Sequence, residues 1–329
     1  MEQTMQTPEF QNRVELNHLR QSVEDIRKEI GQIIVGQHEM INLIIVGLLS
    51  DGHMLIEGVP GIAKTLTAKL VAKTMSIKFS RIQFTPDLMP SDVIGTSVFN
   101  IKNSEFEFHQ GPIFANIVLI DEINRAPAKT QAALFECMQE KQVTVDGKTY
   151  TLPPPFIVLA TQNPIEQEGT YRLPEAQLDR FMCKIEISYP KQEEEILILK
   201  NHHEKKGNFS PEQIQPVLTG EQLLTYRNIV QSIQAEDKLI EYIASIVSKT
   251  RGHKSLFLGA SPRASLAILT GAKAYAAIHG KDFITPDDIK FIASPVLAHR
   301  ILLTPEKEME GATTTQIVHQ ILESVEVPR

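Results

Sequence analysis

Gly58-Val59-Pro60-Gly61-Ile62-Ala63-Lys64-Thr65 lies between two patterned segments. Before it, His53-Met54-Leu55-Ile56 is a short apolar run that reads as a buried strand. After it, Leu66-Thr67-Ala68-Lys69-Leu70-Val71-Ala72 reads as a helix. A strand, a glycine-rich turn and a helix N-terminus make a phosphate cradle. The N–H groups of the turn converge, and the helix end adds a partial positive charge. In the pattern G-x-x-x-x-G-K-[ST], Lys64 reaches the β- and γ-phosphates and the Thr65 hydroxyl takes Mg²⁺. Gly58, Pro60, Gly61, Ile62, Ala63, Lys64, Thr65 and Leu66 are therefore the expected nucleotide contacts. Position 63 departs from the pattern, with Ala in place of Gly. Its side chain is small enough to start a helix, and Gly61 keeps the loop flexible.

The second signal lies downstream. Ile117-Val118-Leu119-Ile120 is a branched apolar run that ends in Asp121-Glu122. Such a run reads as a central parallel strand, and the carboxyl end of such a strand is where α/β sheets bind ligands. Asp121 is placed to hold Mg²⁺ and Glu122 to polarise a water. Phe156 to Thr161 and Met182 to Ile187 read as further buried strands, and Lys78 to Gln83 as another. Helices are expected over 13–31, 39–49 and 129–140. Strands alternating with helices imply a parallel α/β sheet. Two hairpins interrupt this order. One is expected over 97–109, around Lys102-Asn103-Ser104, and one near 142–151, around Asp146-Gly147. Phe106 and Phe108 of the first hairpin could face a partner or could be its packed face.

The pattern changes near Tyr189-Pro190, beyond which only helices are expected, over about 191–205, 220–234, 236–250, 261–279, 285–299 and 313–325. Thr219, Ser261 and Thr285 are the expected N-caps, with Pro262 and Pro286 at the first helical position. The chain thus divides into an α/β core over 1–189 and a helical domain over 190–329.

The 329 residues carry a net charge of −7, so there is no chain-wide basic bias toward nucleic acid. The N-terminal residues are polar and give no leader, and no apolar run is long enough to cross a membrane. Cys137 and Cys183 have no ligand-like spacing and read as buried thiols of a reducing compartment, so a cytoplasmic protein is expected.

Three further residues stay open on the residues alone. Asn163 ends a strand, where an amide could orient a water, but Pro164 after it suits an ordinary turn. Arg180 in Leu178-Asp179-Arg180-Phe181 could be a surface ion pair. Arg263 begins a helix, where a cation opposes the local dipole and asks for an anion.

The ordered set of motifs resembles the AAA+ ATPases and, within them, the MoxR family. The likeness runs over roughly residues 20–300. Its marks are Val35-Gly36-Gln37, Gly58 to Thr65 with Ala63, Phe84-Thr85-Pro86-Asp87-Leu88, Ile120 to Ala126, Ala160 to Pro164, Leu173 to Phe181, and Ser261-Pro262-Arg263. The resemblance implies a P-loop core with a five-stranded parallel sheet and inserted hairpins, followed by an all-helical lid. It makes Lys64 and Thr65 Walker A, Asp121 and Glu122 Walker B, and Asn163 sensor 1. Arg180 matches the arginine finger that acts on a neighbour's ATP, and Arg263 matches sensor 2, reaching the γ-phosphate from a moving lid. Val35 and Gly36 match the segment against adenine, and both hairpins would face the pore of a hexameric ring. The implied activity is Mg²⁺-dependent ATP hydrolysis by a chaperone-like ring that matures protein complexes. A separate von Willebrand factor A-domain protein is the implied partner. A slowly turning-over assembly scaffold and a chelatase- or helicase-like motor subunit are the alternatives.

Overall fold

The computed structural model describes residues 8–59, 61–163, 171, 173–204 and 211–328. The chain opens with α1 (Pro8–Gly31) and α2 (His38–Leu49), followed by β1 (Met54–Gly58), α3 (Lys64–Thr74) and β2 (Phe79–Gln83). A short α4 (Pro90–Ile94) leads into the hairpin β3 (Gly95–Asn100) and β4 (Glu105–Gln110). Then come β5 (Ile117–Asp121), α5 (Ala128–Glu140) and a second hairpin, β6 (Gln142–Val145) and β7 (Lys148–Thr151). β8 (Ile157–Gln162), α6 (Glu175–Leu178) and β9 (Cys183–Ile187) complete this part. Five of these strands form one sheet in the order β2-β5-β8-β1-β9, and every neighbouring pair in it is parallel.

Apolar side chains on alternate residues of each strand serve opposite faces. Ile117 and Leu119 join Met54, Ile56, Ile157 and Leu159 in one cluster, while Val118 and Ile120 join Leu55, Val158 and Ala160 in the other. A strand apolar at every position is the form a doubly covered sheet requires. The second face is covered by α5 and the hairpin bases. Phe108 stacks on Tyr150 with ring centroids 4.3 Å apart, so the two hairpins touch each other. Phe106 instead is exposed and meets Phe99 edge-on. The two phenylalanines left open by the sequence therefore divide, Phe108 to the packed face and Phe106 to the surface.

The remaining helices are α7 (Gln192–Glu204), α8 (Gly220–Ser232), α9 (Asp237–Arg251), α10 (Pro262–Ile278), α11 (Pro286–Leu297), α12 (Pro305–Met309) and α13 (Thr314–Ser324). The hydroxyls of Thr219, Ser261 and Thr285 accept from backbone N–H groups of their first turns, as expected of N-caps. The helices-only expectation misses a small antiparallel ribbon, β10 (Leu256–Leu258) with β11 (Leu302–Leu303). α1 begins at Pro8 rather than near residue 13. Helices α8 to α11 and α13 share one apolar cluster with α1, α2, α3 and the first face of the sheet. α7 stands apart, with no buried side chain, and leaves Ile196, Leu197, Ile198 and Leu199 exposed.

His53 ties the sheet to α5 just ahead of β1. Its Nδ1 accepts from the Val158 N–H at 2.9 Å, so the ring proton is on Nε2, which donates to the Met138 carbonyl at 3.0 Å. Burial holds this imidazole neutral and lowers its pKa from 6.5 to about 4. The sign follows from linkage: below pH 6.5 the unfolded chain takes up a proton that the folded chain refuses until about pH 4. Stability should therefore fall as pH drops through that window, by about 2 kcal/mol between pH 7.5 and 5 from this group. Urea unfolding across that range, for the native chain and His53→Gln, checks it. The variant should start less stable and lose less on acidification.

Candidate active site

Parallel strands bring their carboxyl ends to one edge of the sheet. β1 delivers the P-loop, β5 delivers Asp121 and Glu122, and β8, lying between them, delivers Asn163. Lys64 and Thr65 open α3, so their backbone stands at the positive end of that helix. The Thr65 hydroxyl is 3.4 Å from Asp121 Oδ2, which brings together the two groups expected to share a cation. Lys64 Nζ donates to the Gly58 carbonyl at 2.6 Å, so the ammonium is folded onto the base of its own loop. Burial lowers the Lys64 pKa, opposed by the nearby Asp121, Glu122 and Glu57 carboxylates. Pro60 falls outside the described residues.

Ala63 is the N-cap from which α3 starts. Its φ of 60° and ψ of 24° are left-handed, the conformation that explains why the pattern asks for Gly there. Gln37 Nε2 donates to the Ile62 carbonyl at 2.6 Å, tying the Val35-Gly36-Gln37 segment to the loop. Gly36 is also left-handed, and a Cβ there would collide with the Glu194 carboxylate of α7. Val35 is half-buried beside it, while Ile62 is buried and Leu66 packs against the core.

The acids are held by residues that the sequence reading passed over. Asp121 Oδ2 accepts from Arg81 Nε at 2.5 Å. The Thr161 hydroxyl donates to Asp121 Oδ1 at 3.2 Å and accepts from the Glu122 N–H at 3.0 Å, so one side chain sets both acids. Glu122 is itself left-handed, with φ 57°. Its Oε2 accepts from Gln83 Nε2 at 2.8 Å and pairs with Arg125 Nε at 3.0 Å. Arg81 and Gln83 are two residues apart on β2 and face the same side as Asp121, a placement that follows from β2 pairing with β5. Among the described residues there is no cluster of three or more His, Cys, Asp or Glu side chains able to hold a metal. One hydroxyl and one carboxylate suit Mg²⁺, a hard cation that keeps waters and takes further ligands from phosphates.

Arg180 and Arg263 are elsewhere. Both line a cavity of about 300 Å³ with Asp51, His53 and Met138. Arg180 donates to Gln139 Oε1, and Arg263 Nη1 is 3.5 Å from Asp179 Oδ2. Cys183 is level with Met54 and Ile187 with Gly58, so the start of β9 lies at the amino end of the sheet. At about 3.3 Å per residue, the segment before β9 is on the order of 15 Å from the P-loop. Arg263 shares a face with Arg180, on the far side of the sheet from Lys64.

The residues before β9 are fixed by Arg300. Its Nε donates to Asp179 Oδ1 at 2.8 Å, and its other N–H groups go to the carbonyls of Val296, Met182, Asp179 and Phe181. His299 Nε2 lies 3.0 Å from the Phe181 carbonyl, and its burial, with the neighbouring Arg300 charge, holds its pKa well below the ordinary value. Neither contact had a local sequence signal.

Residues 53–183 match the model of the ATPase family associated with various cellular activities, and residues 248–321 match the AAA lid domain. The chain is 42% identical to Chaperone MoxR1 of Mycobacterium tuberculosis, over 92% of this chain and 81% of that one. The chain belongs to the MoxR family of AAA+ ATPases. It is also 47% identical to the uncharacterised protein YeaC of Bacillus subtilis, over 92% and 93% of the two chains. The crystal structure of a candidate ATPase from Cytophaga hutchinsonii superposes with a TM-score of 0.89 at 44% identity, covering 96% and 98%. The MoxR-family sheet, P-loop edge and helical lid are thus the shared frame on which Ala63 stands as a strained position. Valine, branched at Cβ, should not tolerate that left-handed backbone. Ala63→Val is expected to cost about 1–2 kcal/mol of stability and most nucleotide affinity, while Ala63→Gly retains both. Urea midpoints and titration with a fluorescent ATP analogue would test this.

Proposed function

We propose that this MoxR-family chain is an Mg²⁺-dependent ATPase that works as a homo-hexameric ring and remodels or matures another protein. Lys64 and the loop N–H groups bind the β- and γ-phosphates, and Thr65 and Asp121 hold Mg²⁺. The metal neutralises charge on the phosphate oxygens when bound. Glu122, steadied by Gln83 and Arg125, takes the proton from the attacking water, and Asn163 orients that water. Val35 and Gly36 lie against the base. Phosphoryl transfer of this kind is mostly positioning and charge stabilisation.

The observation that carries the ring reading is the separation of Arg180 and Arg263 from Lys64 across the length of one sheet. An arginine that cannot reach its own chain's phosphates can complete the site of a neighbour, and hydrolysis is then conditional on assembly. Such an arginine is worth ~10³–10⁵ in rate in GTPases. We further propose that the chain divides functionally at 189/190, acts in the cytoplasm, and works with a separate von Willebrand factor A-domain protein. Among the described residues no helix is long and apolar enough to cross a membrane. The net charge of −7 favours a polypeptide substrate over nucleic acid, and Phe99 and Phe106 of the first hairpin are exposed to meet it.

Per-subunit ATPase rate should rise with protein concentration. Arg180→Ala should bind ATP, fail to hydrolyse it alone, and lower the activity of an equimolar mixture with wild type without abolishing it. Activity strictly proportional to concentration, with Arg180→Ala unimpaired, would refute the shared site. Glu122→Gln should keep nucleotide affinity and lose about 10²–10⁴ in turnover, as removal of a general base does.

A further inference from the structure

We propose that Arg300 is a positioning residue for the reaction: it sets the backbone that presents Arg180, and through Asp179 it links Arg180 to Arg263. The inference rests on the shared-site reading above and extends it to a residue that touches no nucleotide.

A guanidinium carries five N–H groups in a planar fork. In Arg300 all five have an acceptor: Asp179 Oδ1 at 2.8 Å, and the carbonyls of Met182 at 2.8 Å, Val296 at 2.6 Å, Asp179 at 3.1 Å and Phe181 at 2.6 Å. Four of those five acceptors belong to residues 179–182, and they flank Arg180 on both sides. Only the Val296 bond is to its own helical segment. The side chain is almost fully buried, so little water competes for these bonds. No other residue type offers this fork, and lysine has three donors at one point.

Asp179 extends the lock. Besides Arg300, its carboxylate accepts from the Ser261 hydroxyl at 3.0 Å and pairs with Arg263 at 3.5 Å. Ser261 caps the helix that Arg263 begins. One carboxylate therefore fixes the turn carrying Arg180 and the helix start carrying Arg263. Phe181, on the other side, is buried against Phe135 of α5. The backbone of Arg180 is thus held on both sides while its own side chain remains at the cavity. An arginine that must meet a phosphate of another subunit gains from this, because a misplacement of about 1 Å can cost 10²-fold in rate.

The test is intersubunit complementation. Lys64→Ala lacks a working P-loop but keeps the arginine face, whereas Arg300→Lys keeps the P-loop and loses the lock. Alone, Arg300→Lys should turn over about 100-fold more slowly, with affinity for the ATP analogue within about 2-fold of wild type. Mixed with Lys64→Ala, it should regain ATPase activity, because its P-loop then meets an intact arginine face. Arg180→Ala mixed with Lys64→Ala is the control for the shared site. If the control pair complements and the Arg300→Lys pair does not, Arg300 is merely structural and the proposal fails. Wild-type turnover by Arg300→Lys alone also overturns it. If the control pair does not complement, the shared-site reading falls and takes this inference with it. Thermal melting reports whether Arg300→Lys is folded. Should it not be, Asp179→Asn replaces it in the same mixture with the same deciding outcomes.

Discussion

All five strands of the sheet run the same way, and that constraint organises the rest of the molecule. In a parallel sheet every carboxyl end lies at one edge and every amino end at the other. The segments that follow β1, β5 and β8 must gather, which is why a lysine, two acids and an amide from distant parts of the chain share one edge. The segments that precede β1 and β9 must gather too, which brings His53 to the cavity lined by Arg180. The same constraint keeps Arg180 and Arg263 near the other edge.

The sequence was most legible where one local pattern had one physical meaning. Ile117 to Ile120 followed by two acids could only be a buried strand ending at an edge, and β5 is that strand. The hairpins were marked by alternation and by Asp146-Gly147. Asn163 and Arg180 were ambiguous as residues and drew meaning only from the family resemblance. At Ala63 side-chain size predicts that a helix can start there, and one does, but the cost of the missing glycine lies in φ, which size does not reveal.

Other features were invisible for a different reason. The partners of Arg300 in residues 179–182 are more than a hundred positions away, and all but one are carbonyls, which every residue possesses. A bond to a carbonyl leaves no trace in the partner's identity. Thr161 and Arg81 likewise look like ordinary strand residues until the register of β5 with β8 and β2 is known. The ribbon of β10 and β11 is too short for alternation to show.

The shared apolar cluster has a mechanical meaning. Helices α8 to α11 and α13 sit on the same continuous packing as the first face of the sheet, and the Arg300 fork rivets the two together where the chain re-enters at β9. Packed interiors resist compression and transmit strain. The P-loop edge and the helical end of the chain are therefore joined through one packed core. Outside that core lies α7, a 13-residue helix with no buried side chain, whose Glu194 rests against Gly36.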